Sequence, residues 1–143
     1  MKKILCVLIA LLFVLAGCQS DRLRDGTYTA QFASPDSHGW RAFIEITVID
    51  GEYQGVVFDY KDESGNLKSL DQNYKNAYIA AGFGTYPELY TEELVLDFLF
   101  KQNATDVDIV AGATYASNDF IRLAEALKEN IRKGNTNLLE VYN

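Results

Sequence analysis

Residues 40–60 read WRAFIEITVIDGEYQGVVFDY, and this stretch decides the fold. From Trp40 to Ile49 the residues alternate, with Ile44, Ile46 and Val48 on one face and Glu45 and Thr47 on the other, the period of a half-buried strand. Asp50-Gly51 follows, two residues that tolerate the positive φ of a tight hairpin turn. The return run, Glu52 to Tyr60, puts Val56, Phe58 and Tyr60 on a common face. Gly55 inside it predicts a bulge or a close backbone approach. A central antiparallel hairpin is therefore the nucleus of the sheet.

Working outward, Asp25-Gly26 is a turn signal, and Thr27 to Phe32 has the β-branched and aromatic density of a strand. Ser34 to Gly39 is a loop, and Lys61 to Gly65 is a charged turn. Leu67 to Gly84 shows no convincing period and reads as irregular, with room for a short helix. Thr85-Tyr86-Pro87-Glu88 resembles a capping box opening a helix to about Gln102, with Tyr90, Leu94 and Phe98 in one row and Val95 and Leu99 beside it. Val107 to Val110 reads as a short β segment. A second helix follows, with Ser117 as its expected N-cap, Asp119 near its positive end and Phe120, Leu123, Ala124, Leu127 and Ile131 recurring at helical spacing until Gly134. Asn135 to Asn143 reads as a polar tail with an apolar patch at Leu138-Leu139. The expectation is an α+β domain over residues 25–134: a twisted antiparallel sheet around the hairpin, packed with two main helices.

The first residues direct export. Lys2 and Lys3 precede an apolar run from Ile4 to Leu15, too short for the roughly 20 residues that span a bilayer. Such a signal is cut nearby or kept as an anchor. Leu15-Ala16-Gly17-Cys18, however, resembles the bacterial lipobox. That resemblance implies removal of residues 1–17, a diacylglyceryl and acyl (palmitate-type) modification of Cys18, and a tether over 18–24. It implies a cell-membrane protein, lipid-anchored on the extracytoplasmic face. Losing Lys2 and Lys3 leaves 11 basic against 20 acidic residues, a net of −9 over 126 residues. That balance excludes a nucleic-acid partner and favours a domain standing off anionic lipid heads. Cys6 leaves with the signal and Cys18 is blocked, so the mature domain has no thiol for a disulfide, an iron–sulfur cluster or a cysteine zinc site. His38, the single histidine, reads as a solvated loop residue, and no metal site is expected.

The informative motif is Asp108-Ile109-Val110-Ala111-Gly112-Ala113-Thr114, followed by Tyr115-Ala116-Ser117. It resembles the signature of the FMN-binding domain family, found in the C subunit of the sodium-pumping NADH:quinone reductase and in related surface lipoproteins. The pattern is an aspartate, two residues, a serine or threonine, then Gly-Ala-Thr. The resemblance implies that the Thr114 hydroxyl is joined to FMN as a phosphoester, by a separate flavin transferase with FAD as donor. Asp108 would then serve recognition or metal binding during attachment, or pin the loop through backbone hydrogen bonds. Ala111 stands where the pattern has a hydroxyl, which leaves FMN held without a covalent bond as the other outcome.

The local chemistry suits an anion. Thr114 lies just ahead of Ser117, at the positive end of the expected helix, where open backbone amides attract a phosphate. Gly112 and Ala113 have minimal side chains, so a bulky donor can approach. Trp40 either stacks on the isoalloxazine ring or packs into the core as its strand begins. Tyr78, Phe83 and Tyr86 line a pocket or belong to the core. Small-residue loops before helices also occur in proteins that bind nothing, so a flavin-free ligand-binding or surface-interaction lipoprotein is the competing expectation. No acid–base pair marks an enzyme with its own substrate; an electron carrier exchanging with a redox partner protein fits better.

Overall fold

The structure, a computed structural model, describes residues 22–142. Strand β1 (Gly26–Phe32) pairs antiparallel with β2 (Arg41–Ile49), which pairs antiparallel with β3 (Glu52–Lys61). The predicted hairpin is the middle of the sheet. Asp50 and Gly51 both take positive φ, +55° and +78°, at its turn. Opposite Thr47 and Val48 the register slips, leaving Gln54 beside Gly55 unpaired. This bulge resets the alternation, so Tyr53 points to the same face as Val56, Phe58 and Tyr60.

Two helices cover that face. Helix α2 (Pro87–Lys101) lies on β3, and α3 (Thr114–Lys133) lies on β1 and β2. Phe120 is fully buried where they meet, its ring 5.1 Å from Phe58 and 5.7 Å from Phe98. Burying such a side chain contributes about 1.5–3 kcal/mol, so Phe120 ties sheet, α2 and α3 into one core. Leu94, Leu123, Leu127 and Ile131 are buried around it, as the helical periods required. The opposite face of the sheet meets solvent, with Glu45 and Val57 exposed.

The α+β class stands, with additions. Leu139–Val141, read as part of the polar tail, forms a fourth strand, β4, parallel to β1 from Ala30 opposite Leu139 to Phe32 opposite Val141. The sheet order is β3-β2-β1-β4. A third helix, α1 (Gln72–Ala81), fills the stretch that lacked a period, because none of its residues is buried. Local chemistry defines it instead: the Asp71 carboxylate accepts from the amides of Asn73 and Tyr74, and Gly82 closes it at φ +70°.

Three local expectations are corrected. The capping box does not form: Tyr86 is the N-cap of α2, and Glu88 reaches Lys75 at 2.9 Å rather than back to the helix end. Pro87 does occupy the first turn. Val107 to Val110 joins no strand, because side chains take its amides: Asp108 N donates to Asp97 Oδ2 at 2.8 Å and Val110 N to Ser117 Oγ at 3.0 Å. Ser117 is not the N-cap of α3. The helix begins three residues earlier with Ala113 at the cap, and Ser117 is buried in its first turn. At the far end Gly134 stops α3 as expected, and Arg24 closes it, its amide and Nε donating to the carbonyls of Ile131 and Arg132.

Candidate functional site

The loop from Val107 to Ala113 is held from both sides. Val107, Val110 and Ala113 are buried, whereas Asp108, Ile109, Ala111 and Gly112 are exposed. Ala113 N donates to Val110 O at 2.9 Å, closing a four-residue turn whose third position, Gly112, has φ +81°. Only glycine takes that conformation without strain. Contact also demands glycine there: a Cβ would fall 2.3 Å from the carbonyl oxygen of Phe83.

Ser117 is the inner clamp. Its hydroxyl accepts from Val110 N and donates to Ala113 O, both at 3.0 Å, binding the loop to the helix it feeds. The outer clamp is ionic. Lys101 Nζ lies 2.9 Å from Asp97 and 2.8 Å from Asp108. Burial raises the Asp97 pKa, but the Asp108 amide and Lys101 outweigh it, so the carboxyl lies below its ordinary value. Lys101 in turn is held above its own by Asp108 and Asp97.

This bracing presents Thr114 as the first residue of α3, exposed to solvent. The amides of Thr114, Tyr115 and Ala116 have no acceptor within the helix, and Ala113 offers no side-chain cap. The twenty-residue helix therefore points an uncapped positive end outward. Asp108, Gly112, Ala113, Thr114 and Ser117 are brought together as one loop and helix start.

Trp40 belongs to another cluster. It is buried, with Tyr74 edge-on at 5.5 Å and the Lys68 ammonium 5.8 Å from its ring. Tyr78 packs on Phe83 and Tyr90, and Phe83, half exposed, backs Gly112.

Sequence reasoning missed the groove beside the loop. About 450 Å³ in volume, it runs between Gly84, Leu89, Glu93 and Leu96 on one side and Val110 and Ala111 on the other. Thr85 lines it as well; this residue is buried, and its hydroxyl has no hydrogen-bond partner. Lys101 and Asp97, spaced i and i+4, were a legible pair; their grip on Asp108 was not, since it depends on how the loop returns.

An α+β domain beginning just after a lipobox-like cysteine, with a braced loop feeding an open helix end, defines a small lipoprotein module. The chain belongs to the family of the 15 kDa lipoprotein of Treponema pallidum (strain Nichols), to which it is 37% identical over 127 residues, 88% of this chain and 89% of that one. It is a bacterial lipoprotein. Among solved structures, the CPE2226 protein of Clostridium perfringens is 32% identical, with a TM-score of 0.80 over 85% of this chain and 98% of that one. A protein of Clostridium thermocellum, 23% identical, shares the fold at a TM-score of 0.52 over 75% of this chain and 92% of that one. No family model matches the chain. Among the described residues no helix is long and apolar enough to cross a membrane. Cys18 lies outside the described residues.

Proposed function

We propose that this lipoprotein carries FMN on Thr114 and works as an extracytoplasmic electron carrier, held to the membrane through Cys18. The observation that carries the reading is an exposed Thr114 at the uncapped N-terminus of α3, within the Asp108-to-Ser117 motif. In the attachment step the Thr114 oxygen bonds to the FMN phosphorus of FAD, AMP leaves, and the hydroxyl proton is released.

The residues fit the group. Open amides of the first turn of α3 would take the phosphate oxygens, and the helix dipole favours that charge by up to about 2 kcal/mol. Gly112 and Ala113 add no bulky side chain to the approach. Leu89 and Leu96 offer apolar walls to a planar ring. Asp108, largely exposed, is available to a transferase while its backbone amide stays tied to Asp97. When bound, the flavin supplies one- and two-electron chemistry. Ser117 and the Asp97–Lys101–Asp108 group keep the loop in one conformation, so the protein has little to rearrange between redox states.

The test is co-expression with a flavin transferase and intact mass measurement of the purified protein. The expected result is a gain of one FMN less water and in-gel flavin fluorescence, both lost in Thr114→Val and kept in Thr114→Ser. An unmodified mass and a colourless protein, beside a control domain that the same transferase labels, would overturn the covalent reading.

A further inference from the structure

The cluster around Trp40 has a chemistry of its own. The ammonium of Lys68 lies 4.5 Å from the ring centre of Tyr74, 4.6 Å from Tyr60 and 5.8 Å from Trp40. Trp40 and Tyr74 meet edge to face at 89°, so the rings form walls rather than a stack. Lys68 is only 7% exposed, yet no oxygen among the described residues is hydrogen-bonded to its ammonium. The turn that bears it, Lys68–Leu70, is fixed by its neighbour: Ser69 donates through its amide and hydroxyl to buried Asp59. The side chain can therefore leave by rotating about its own bonds while the backbone stays.

Carboxylates surround this box. Asp119 accepts from the Tyr60 hydroxyl at 2.8 Å, and Asp36 accepts from the amides of His38 and Trp40. Burial lowers the Lys68 pKa, while Asp36, Asp119 and Asp59 act against that shift. Three aromatic walls with carboxylates behind them favour a cation whose charge is spread and weakly hydrated. A primary ammonium is a compact, strongly hydrated charge whose three protons seek water. A quaternary ammonium has no protons to satisfy and suits these walls better.

We propose that Trp40, Tyr60 and Tyr74 form a recognition site for a quaternary ammonium group of the choline type, with Lys68 as the built-in occupant that an incoming ligand displaces. The acidic mature chain, at net −9, draws cations toward it. Free choline and a phosphocholine headgroup share this chemistry. The site lies apart from the Thr114 motif and does not depend on a flavin.

Trp40 is the single tryptophan, so its fluorescence reports on this cage alone. The full mature chain, unlabelled by flavin, is titrated with tetramethylammonium chloride and with choline chloride against sodium chloride at equal ionic strength. The expected result is weak saturable binding by the native protein and at least tenfold tighter binding by Lys68→Ala, which empties the cage. Lys68→Met fills the cage without charge and should not respond, nor should any form respond to the uncharged isostere 3,3-dimethylbutanol. Equal affinity in native protein and Lys68→Ala, or equal response to the uncharged isostere, would overturn the proposal. If Lys68→Ala does not fold in sodium chloride, refolding in tetramethylammonium chloride decides: recovery of the native fluorescence supports the site, and failure refutes it. Phosphatidylcholine vesicles, set beside phosphatidylglycerol vesicles, then separate a lipid headgroup from a free ligand.

Discussion

Replacing Gly112 by alanine tests the loop that carries Thr114. Two costs arise, and the structure allows them to be separated. The first is conformational: φ is +81°, and a side chain in left-handed backbone costs about 1–2 kcal/mol. Gly82, at φ +70° with open space around it, carries that cost alone. The second is contact. The new Cβ would lie 2.3 Å from Phe83 O, a backbone atom that no rotamer change can move aside. Forcing the Phe83–Gly84 segment back adds the roughly 1–3 kcal/mol typical of overpacking. Gly82→Ala is thus expected to lose about 1–2 kcal/mol and Gly112→Ala about 2–5 kcal/mol. At about 4 °C per kcal/mol for a domain of this size, Tm should fall about 4–12 °C further in Gly112→Ala. Differential scanning calorimetry of both variants measures it. Melting temperatures equal within about 2 °C would show that the loop is not wedged on Phe83, and the bracing argument would fail.

Other outcomes follow from the same geometry. Ser117→Ala leaves the buried Val110 amide without its acceptor and should cost about 1–3 kcal/mol in urea unfolding, with lower flavin labelling at Thr114. Burial holds the Tyr60 and Tyr90 hydroxyls well above their ordinary value, with Asp119 adding to it at Tyr60 and Tyr78 at Tyr90. The unfolded chain releases these protons near pH 10 while the fold keeps them, so stability should decline as pH rises beyond about 10, by about 1.4 kcal/mol per pH unit for each tyrosine. Tyr60→Phe should flatten that decline by one tyrosine's share, read from unfolding curves between pH 9 and 11. Cys18→Ser should move the protein from the detergent phase to the aqueous phase in Triton X-114 partition of expressing cells.

What the sequence disclosed, and what it hid, divides along a physical line. The hairpin was legible because Ile44, Ile46 and Val48 alternate against solvent and Asp50-Gly51 has few conformations to choose from. The helices were legible through Leu94, Phe98, Phe120 and Leu127, whose spacing records one buried face. Signals tied to a single side chain misled. Ser117 has the composition of an N-cap but sits where Gly112 has already turned the chain into the helix, and Thr85 has the look of a capping residue while its hydroxyl bonds to nothing. The last strand escaped notice because its partner, β1, lies over a hundred residues earlier. Three residues at an edge carry too little periodicity to announce it. Of the candidate site, the motif itself was readable in one dimension. The Phe83 carbonyl under Gly112 was not, since it comes from a segment distant in the chain, nor was the Lys101 bridge to Asp108, which depends on how the intervening loop folds back.

Helix α3 also sets a distance. Arg24, where the chain enters the domain, is fastened to the last turn of α3, while Thr114 begins its first. Twenty residues at about 1.5 Å each separate the two by about 30 Å. The described chain thus enters the domain at the Arg24 pole, and Thr114 stands at the opposite one. If Thr114 carries the proposed flavin, a partner that exchanges electrons with it meets the pole of α3 remote from where the chain enters.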